Sequence, residues 1–336
     1  MNSTRLACAV AVFTHAGCNF SFAPRRLMKT LTLTLLLACA CRGGTGPESC
    51  VSDCWTTKAP LATPRHHLAV GVVNGVLYAV GGYGGYYGPP LNVVEAYNPV
   101  ANAWATKAPM PTPRGYFAVG VVNGVFYAVG GYAGGAGAGD TVFNVLEGYD
   151  PITNTWTVKA PMPTPRANLA VGVVNGILYA VGGDSGYSVL NVVEAYDPVT
   201  NTWTTKAPLP TPSFSPGVGV VNGILYAVPG DSGNSYPYDP IANTWTAKDP
   251  MPTPRGWFAV GVVSSVLYAV GGSFAALHTN EAYDPITNRW TTKAPVPTWR
   301  MSLAVGVVNG VLYAVGGEQL EAYGYHLVAA NEAYQP

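Results

Sequence analysis

From residue 55 onward, apolar residues come in short runs broken by turn-forming pairs. "LAVGVV" at 68–73 passes through Asn74-Gly75 into "VLYAV" at 76–80, which closes on Gly81-Gly82. A third run, "NVVEAY" at 92–97, leads through "NPVAN" to Trp104. Runs this short, with no clean helical period over any window of 12 or more residues after residue 40, predict strands. Asn-Gly between two β-prone runs predicts a two-residue hairpin, because both central positions of a type I′ turn need φ > 0. The dipeptide returns at 123, 175, 222 and 309, with Ser264-Ser265 once in its place. Proline after Asp or Asn presets φ for the next turn, and the tryptophan run makes a fourth strand.

Gly-Gly pairs stand at 81–82, 130–131, 182–183, 271–272 and 316–317, with Pro229-Gly230 in the remaining place, so the chain holds six units of 42 to 52 residues. Four antiparallel strands per unit, six units and no helix between them predict an all-β fold, a six-bladed β-propeller. The chain ends say how the ring closes. Tryptophans 104, 156, 203, 245 and 290 each follow a complete Tyr-Asp/Asn-Pro turn, whereas Trp55 has no turn before it and "EAYQP" at 332–336 has no tryptophan after it. The N-terminal "CWTTKAP" strand is therefore expected to join the C-terminal blade as its outer strand, leaving the ring closed.

"PRHHLAVGVVNGVLYAVGG", followed by "NVVEAYNPVANAW", resembles the kelch repeat, with its arginine before the first strand, double glycine after the second, Tyr-Asp-Pro turn and spaced tryptophan. The resemblance covers residues 55–336 and implies a kelch propeller that binds through its loop face. One unit departs from it. Residues 213–250 have Ser213 for the arginine, Pro229 in the double glycine and Tyr236 where the others have Glu95, Glu147, Glu194, Glu281 and Glu332. That blade is expected to be shorter, and irregular at its second and third strands.

Composition narrows the partners. The 17 Lys plus Arg balance 17 Asp plus Glu, and no basic run exceeds Arg25-Arg26, so nucleic acid is not expected. Arg25, Arg26 and Lys29 precede an apolar stretch from Leu31 to Ala40, a secretory signal layout too short for a comfortable membrane span. Residues 28–38 are expected to be a signal peptide, 1–27 an extension ahead of a start at Met28, and 39–54 a tether lipidated at Cys39 in the lipobox-like "LLAC". This places the protein in the bacterial envelope, lipid-anchored or free, touching membrane only through that anchor. All six cysteines precede Trp55; Cys50 and Cys54 are expected to form a disulfide in preference to a metal site.

What recurs in every unit is expected to hold the blades together, so ligand contacts are sought where the units differ. The start of strand one and the end of strand two share one face, opposite the Asn-Gly turns. That face is expected to bind a protein or a glycan through Arg65, His67, Tyr83, Arg114, Tyr116, Tyr132, Arg166, Asp184, Asp231, Arg255, Trp257, Arg300 and Glu318. The five arginines have a second reading, as braces bonded to loop carbonyls. No catalytic residue and no cofactor is expected. Kelch-like copper radical oxidases need a cysteine cross-linked to a tyrosine, and residues 55–336 contain none. His66, His67 and His326 have no recognisable ligand spacing, so no metal is expected either. The catalytic alternative is an exported sugar mutarotase similar in architecture to N-acetylneuraminate epimerase, with an arginine and a carboxylate moving protons.

Overall fold

The computed structural model describes residues 50–85, 88–135, 138–230, 234–273, 278–321 and 324–336. The chain divides between Glu48 and Ser49, and the described residues all belong to the second unit. The expected extension, signal peptide and most of the tether, Cys39 included, lie outside them. Among the described residues there is no helix.

Blade one is built of Ala69–Val73, Val76–Val80, Val94–Asn98 and Ala103–Thr106, antiparallel and bonded in that order. Val73 faces Val76 across Asn74 (φ 50°) and Gly75 (φ 75°), the conformation that the Asn-Gly pair predicts. Blades two, three and five repeat it from Ala118, Ala170 and Ala259. The six first strands touch in cyclic order around the axis, and each apolar core lies between neighbouring blades. Blade four is short at its third and fourth strands, Tyr236–Asp239 and Thr244–Trp245, while its second, Ile224–Val228, is full length. The irregularity thus falls one strand later than expected, because Pro229 follows the second strand and does not interrupt it.

Blade six consists of Ala304–Val308, Val311–Val315, Asn331–Gln335 and, outermost, Cys54–Lys58, with Trp55 opposite Tyr334. The ring closes as the broken repeats foretell. The same link recurs at every blade junction: the indole N–H of Trp104 donates to Ala59 O (2.8 Å), and that of Trp55 to Ala294 O (2.9 Å). Asn102 Oδ1 accepts from the Tyr97 hydroxyl and from Ala59 N–H in the neighbouring blade. Asp53 Oδ1 does the same for Tyr334 and Ala294. Closure therefore begins at Asp53, inside the short loop closed by the Cys50–Cys54 disulfide.

The arginines belong to this framework. Arg65, Arg114, Arg166, Arg255 and Arg300 are fully buried, each ion-paired with the glutamate of its own third strand. Arg114 Nη1 lies 2.5 Å from Glu147 Oε2 and donates to Thr112 O, while Nη2 donates to Ala128 O. The Arg114 carbonyl accepts from Gly82 N–H of the preceding blade at 3.0 Å. A side chain at Gly81 would put its Cβ 2.6 Å from that carbonyl, so the double glycine permits the approach of the next blade. Burial draws all five guanidinium pKa values down, Arg166 to about 10, with the glutamates pulling the other way. In blade four both partners are gone: Ser213 and Tyr236 fill the two places, buried, and neither carries a charge at neutral pH.

Candidate functional site

The site grows out of three positions in each blade: the two residues after the arginine place, and the residue after the double glycine. Backbone bridges join them, His66 to Tyr83, Gly115 to Tyr132, Ala167 to Asp184 and Met301 to Glu318. The second residue after the arginine place adopts positive φ in all six blades, at His67, Tyr116, Asn168, Ser215, Trp257 and Ser302 (50–56°). Their amides bond to one another in an arc from Ser215 through Asn168, Tyr116, His67 and Ser302 to Trp257. This belt holds six side chains around the axis on rigid backbone. Asn168, Ser215 and Ser302 are not among the expected ligand residues, although their register, two places after the arginine position, aligns them with His67, Tyr116 and Trp257.

Above the belt lies a cavity of ≈ 350 Å³ lined by His66, His67, Tyr83, Tyr116, Tyr132, Gly134, Trp257, Met301, Glu318 and Tyr325. A second, of ≈ 270 Å³, shares Tyr116, Tyr132 and Trp257 with it and adds Asn168, Asp184 and Phe214. Their walls are largely aromatic. His67 and Tyr116 stack with centroids 3.7 Å apart, and Trp257 stands edge-on to His67 at 6.4 Å. The Trp257 indole nitrogen is buried without a partner among the described residues. Two hairpins absent from the expected pattern, Tyr132–Gly135 with Ala138–Val142 and Glu318–Glu321 with Gly324–Leu327, contribute Tyr132, Glu318 and Tyr325.

Polar groups gather at two places. Asn168 Nδ2 donates to Asp184 Oδ2 (2.8 Å), which fixes that carboxylate in the smaller cavity. In the larger one, His66 Nδ1 lies 2.6 Å from His67 Nδ1 and 3.2 Å from Glu318 Oε2. Ser302 Oγ donates to Glu318 Oε1 (2.9 Å) and lies 3.0 Å from His67 Nε2. Burial, and then the neighbouring His66, hold His67 well below the ordinary histidine pKa, so it is neutral at pH 7. Tyr83 is pushed up to about 12 by burial, and Tyr132 to about 12 by its hydrogen bond to Asp140; both are protonated donors.

Of the expected ligand residues, His67, Tyr83, Tyr116, Tyr132, Trp257 and Glu318 line the larger cavity, and Asp184 the smaller. Arg65, Arg114, Arg166, Arg255 and Arg300 line neither: they are enclosed with their glutamates, which is the bracing role and not the ligand-facing one. Asp231 lies outside the described residues. His326 is exposed on the Gly324–Leu327 strand, and the histidine pair is joined by Glu318 instead.

These features define a β-propeller that presents an aromatic-walled cavity on its loop face. The kelch motif matches residues 64–111, 113–163, 165–210 and 254–297, more than half the chain, and the protein belongs to the kelch family. Blade four, which lacks the arginine, the first glycine and the glutamate, falls between the matches. The solved structure of YjhT is similar to this one, with a TM-score of 0.69 over 82% of this chain and 96% of that one, at 17% identity. The likeness is one of fold.

Proposed function

We propose that this kelch propeller is a non-catalytic binding module that receives a saccharide in its loop-face cavity. The observation that supports this most is the lining: Tyr83, Tyr116, Tyr132 and Trp257 offer ring faces and edges around a space of ≈ 350 Å³. Rings pack against the apolar faces of sugars, while a few fixed polar groups orient the hydroxyls. The mutarotase alternative needs an arginine beside a carboxylate at the ligand, and the five buried arginines are enclosed with their own glutamates. We place the module on the exported side of a bacterial membrane; the Cys50–Cys54 disulfide supports this, since such bonds persist in oxidising compartments.

The test is thermal unfolding of the purified protein against a panel of free sugars, sialic acid included, and oligosaccharides. A ligand at 100 times its Kd stabilises the fold by about 2.7 kcal/mol. Trp257→Ala and Tyr116→Ala should remove the shift. A shift that survives both moves the site elsewhere, and no shift with any sugar favours a protein ligand. A sugar that shifts the transition is then assayed for mutarotation, and turnover would replace binding with catalysis.

A further inference from the structure

Two imidazole nitrogens 2.6 Å apart must share a hydrogen or a cation, because bare lone pairs at that distance repel. The hydroxyl of Ser302 has one hydrogen and gives it to Glu318, so it accepts from His67 Nε2–H, and His67 Nδ1 is the bare nitrogen of that ring. His66 Nδ1 points at this lone pair. Glu318 Oε2 lies 3.2 Å from His66 Nδ1, yet it is buried with no hydrogen-bond partner among the described residues. A carboxylate oxygen and two imidazole nitrogens thus lie within 4.8 Å of one another, while His66 and Glu318 are each 3% exposed.

From this convergence we infer a divalent transition-metal site formed by His66, His67 and Glu318. The donor set, two imidazoles and one carboxylate, suits zinc with a further position left for water or a ligand oxygen. Ligand atoms 2.0–2.2 Å from a tetrahedral ion stand roughly 3.3–3.5 Å apart. The 3.2 Å separation nearly meets this, the 2.6 Å one opens by less than an ångström once an ion replaces the shared hydrogen, and the remaining pair, His67 with Glu318, stands within 4.8 Å and draws together around the ion. That hydrogen moves from Nδ1 to Nε2 of His66, which has no partner among the described residues. Ser302 serves as the outer partner, holding Glu318 and fixing the His67 tautomer.

The ligands are held on paired backbone before any ion arrives. His66 exchanges two hydrogen bonds with Tyr83, Glu318 exchanges two with Met301, and His67 N–H donates to Ser302 O. His66 and His67 lead into the first blade and Glu318 leaves the second strand of the last, so a bound ion cross-links the blades at which the ring closes. The open side of the ion faces the ≈ 350 Å³ cavity. The site does not depend on the saccharide reading, since metal binds without sugar and sugar shifts can be measured on stripped protein.

The test is titration of the chelator-stripped protein with Co(II), read by visible d–d absorption and competed with Zn(II). One equivalent is expected to saturate the signal. Glu318→Gln, which keeps the size of the side chain, should weaken binding at least tenfold, and Ser302→Ala roughly 10- to 100-fold. His326→Gln should leave it unchanged. Zn(II) at 100 times its Kd should raise the Tm of the unmutated protein by roughly 5 °C or more, a measurement that needs no variant. Absence of both the band and the Tm shift in the folded protein overturns the inference; so does a band that persists undiminished in Glu318→Gln.

Discussion

Blade four has lost its arginine and glutamate together, and the other blades show why that pair is lost jointly or not at all. Arg114 and Glu147 are 0% and 1% exposed, and every partner of the Glu147 carboxylate, Arg114 and the Thr112 hydroxyl, comes from the protein itself. Arg114→Ser alone strands a buried carboxylate, and Glu147→Tyr alone strands a buried guanidinium; removing one partner of such a pair costs about 3–5 kcal/mol. The double variant installs the residues of Ser213 and Tyr236. Glu147 faces Ala128 across the sheet just as Tyr236 faces Ala227, so the tyrosine enters a position already known to accept it. The remaining cost is the repacking of an extra ring and the lost carbonyl contacts, about 1–3 kcal/mol. Equilibrium urea unfolding of wild type, both singles and the double closes the cycle, with an expected coupling of at least about 3 kcal/mol. Singles whose costs simply add in the double would show that the pair is not the reason for the joint departure. Since Arg114 is structural, its replacement tests folding and not ligand capture.

Two further outcomes test the closure. Deleting residues 50–60 removes the strand Cys54–Lys58, the Trp55 bond to Ala294 and both Asp53 bonds, and leaves Asn331–Gln335 as an open edge. Calorimetry should show a loss of at least about 3 kcal/mol, and an unchanged Tm would refute closure by this strand. Asp53 also gives the closure a pH dependence: Ala294 N–H first, then the Tyr334 hydroxyl and Lys293, hold its carboxyl below the ordinary value. A folded pKa below the unfolded one of about 3.9 contributes stability that is present above it and lost as pH falls through the folded value. Asp53→Asn copies the other blades and titrates not at all, so the variant should gain on wild type in Tm between pH 7 and pH 3. A gap that stays constant over that range would remove Asp53 from the acid limb.

Most of the ring was legible because its devices are local. Asn-Gly, Gly-Gly and Tyr-Asp-Pro each specify a turn within a few residues, and most of the six copies carry each of them. Asp53 was also legible in principle, since it stands two residues before Trp55 as Asn102 stands two before Trp104. The arginines misled because arginine is normally a surface residue, and its burial depends on a glutamate some 30 residues away. The joint absence of both in blade four was the available signal. That the first and last blades adjoin followed from the predicted closure; that Glu318 and not His326 meets His66 did not, because the hairpin of Glu318–Glu321 with Gly324–Leu327 is absent from the repeat pattern.

Backbone strain separates framework from site within the same ring. The framework turns also require positive φ, and there, apart from Ser264 and Ser265 in blade five, the chain uses residues for which that conformation is cheap, such as Asn74, Asn102, Asn154 and Asn201, with Gly75 and Gly82. At the mouth the same conformation is imposed on His67, Tyr116 and Trp257, for which it is costly, on the order of 1–3 kcal/mol each. Asparagine is permitted at this position, because blade three has Asn168 there in the same belt. Folding alone would therefore favour asparagine at all six places. An imidazole, a phenol and an indole stand there instead, at the junction of two cavities. The proposed binding role accounts for this strain, since these are the side chains that line the cavities, and the belt hydrogen bonds hold the backbone in place around them.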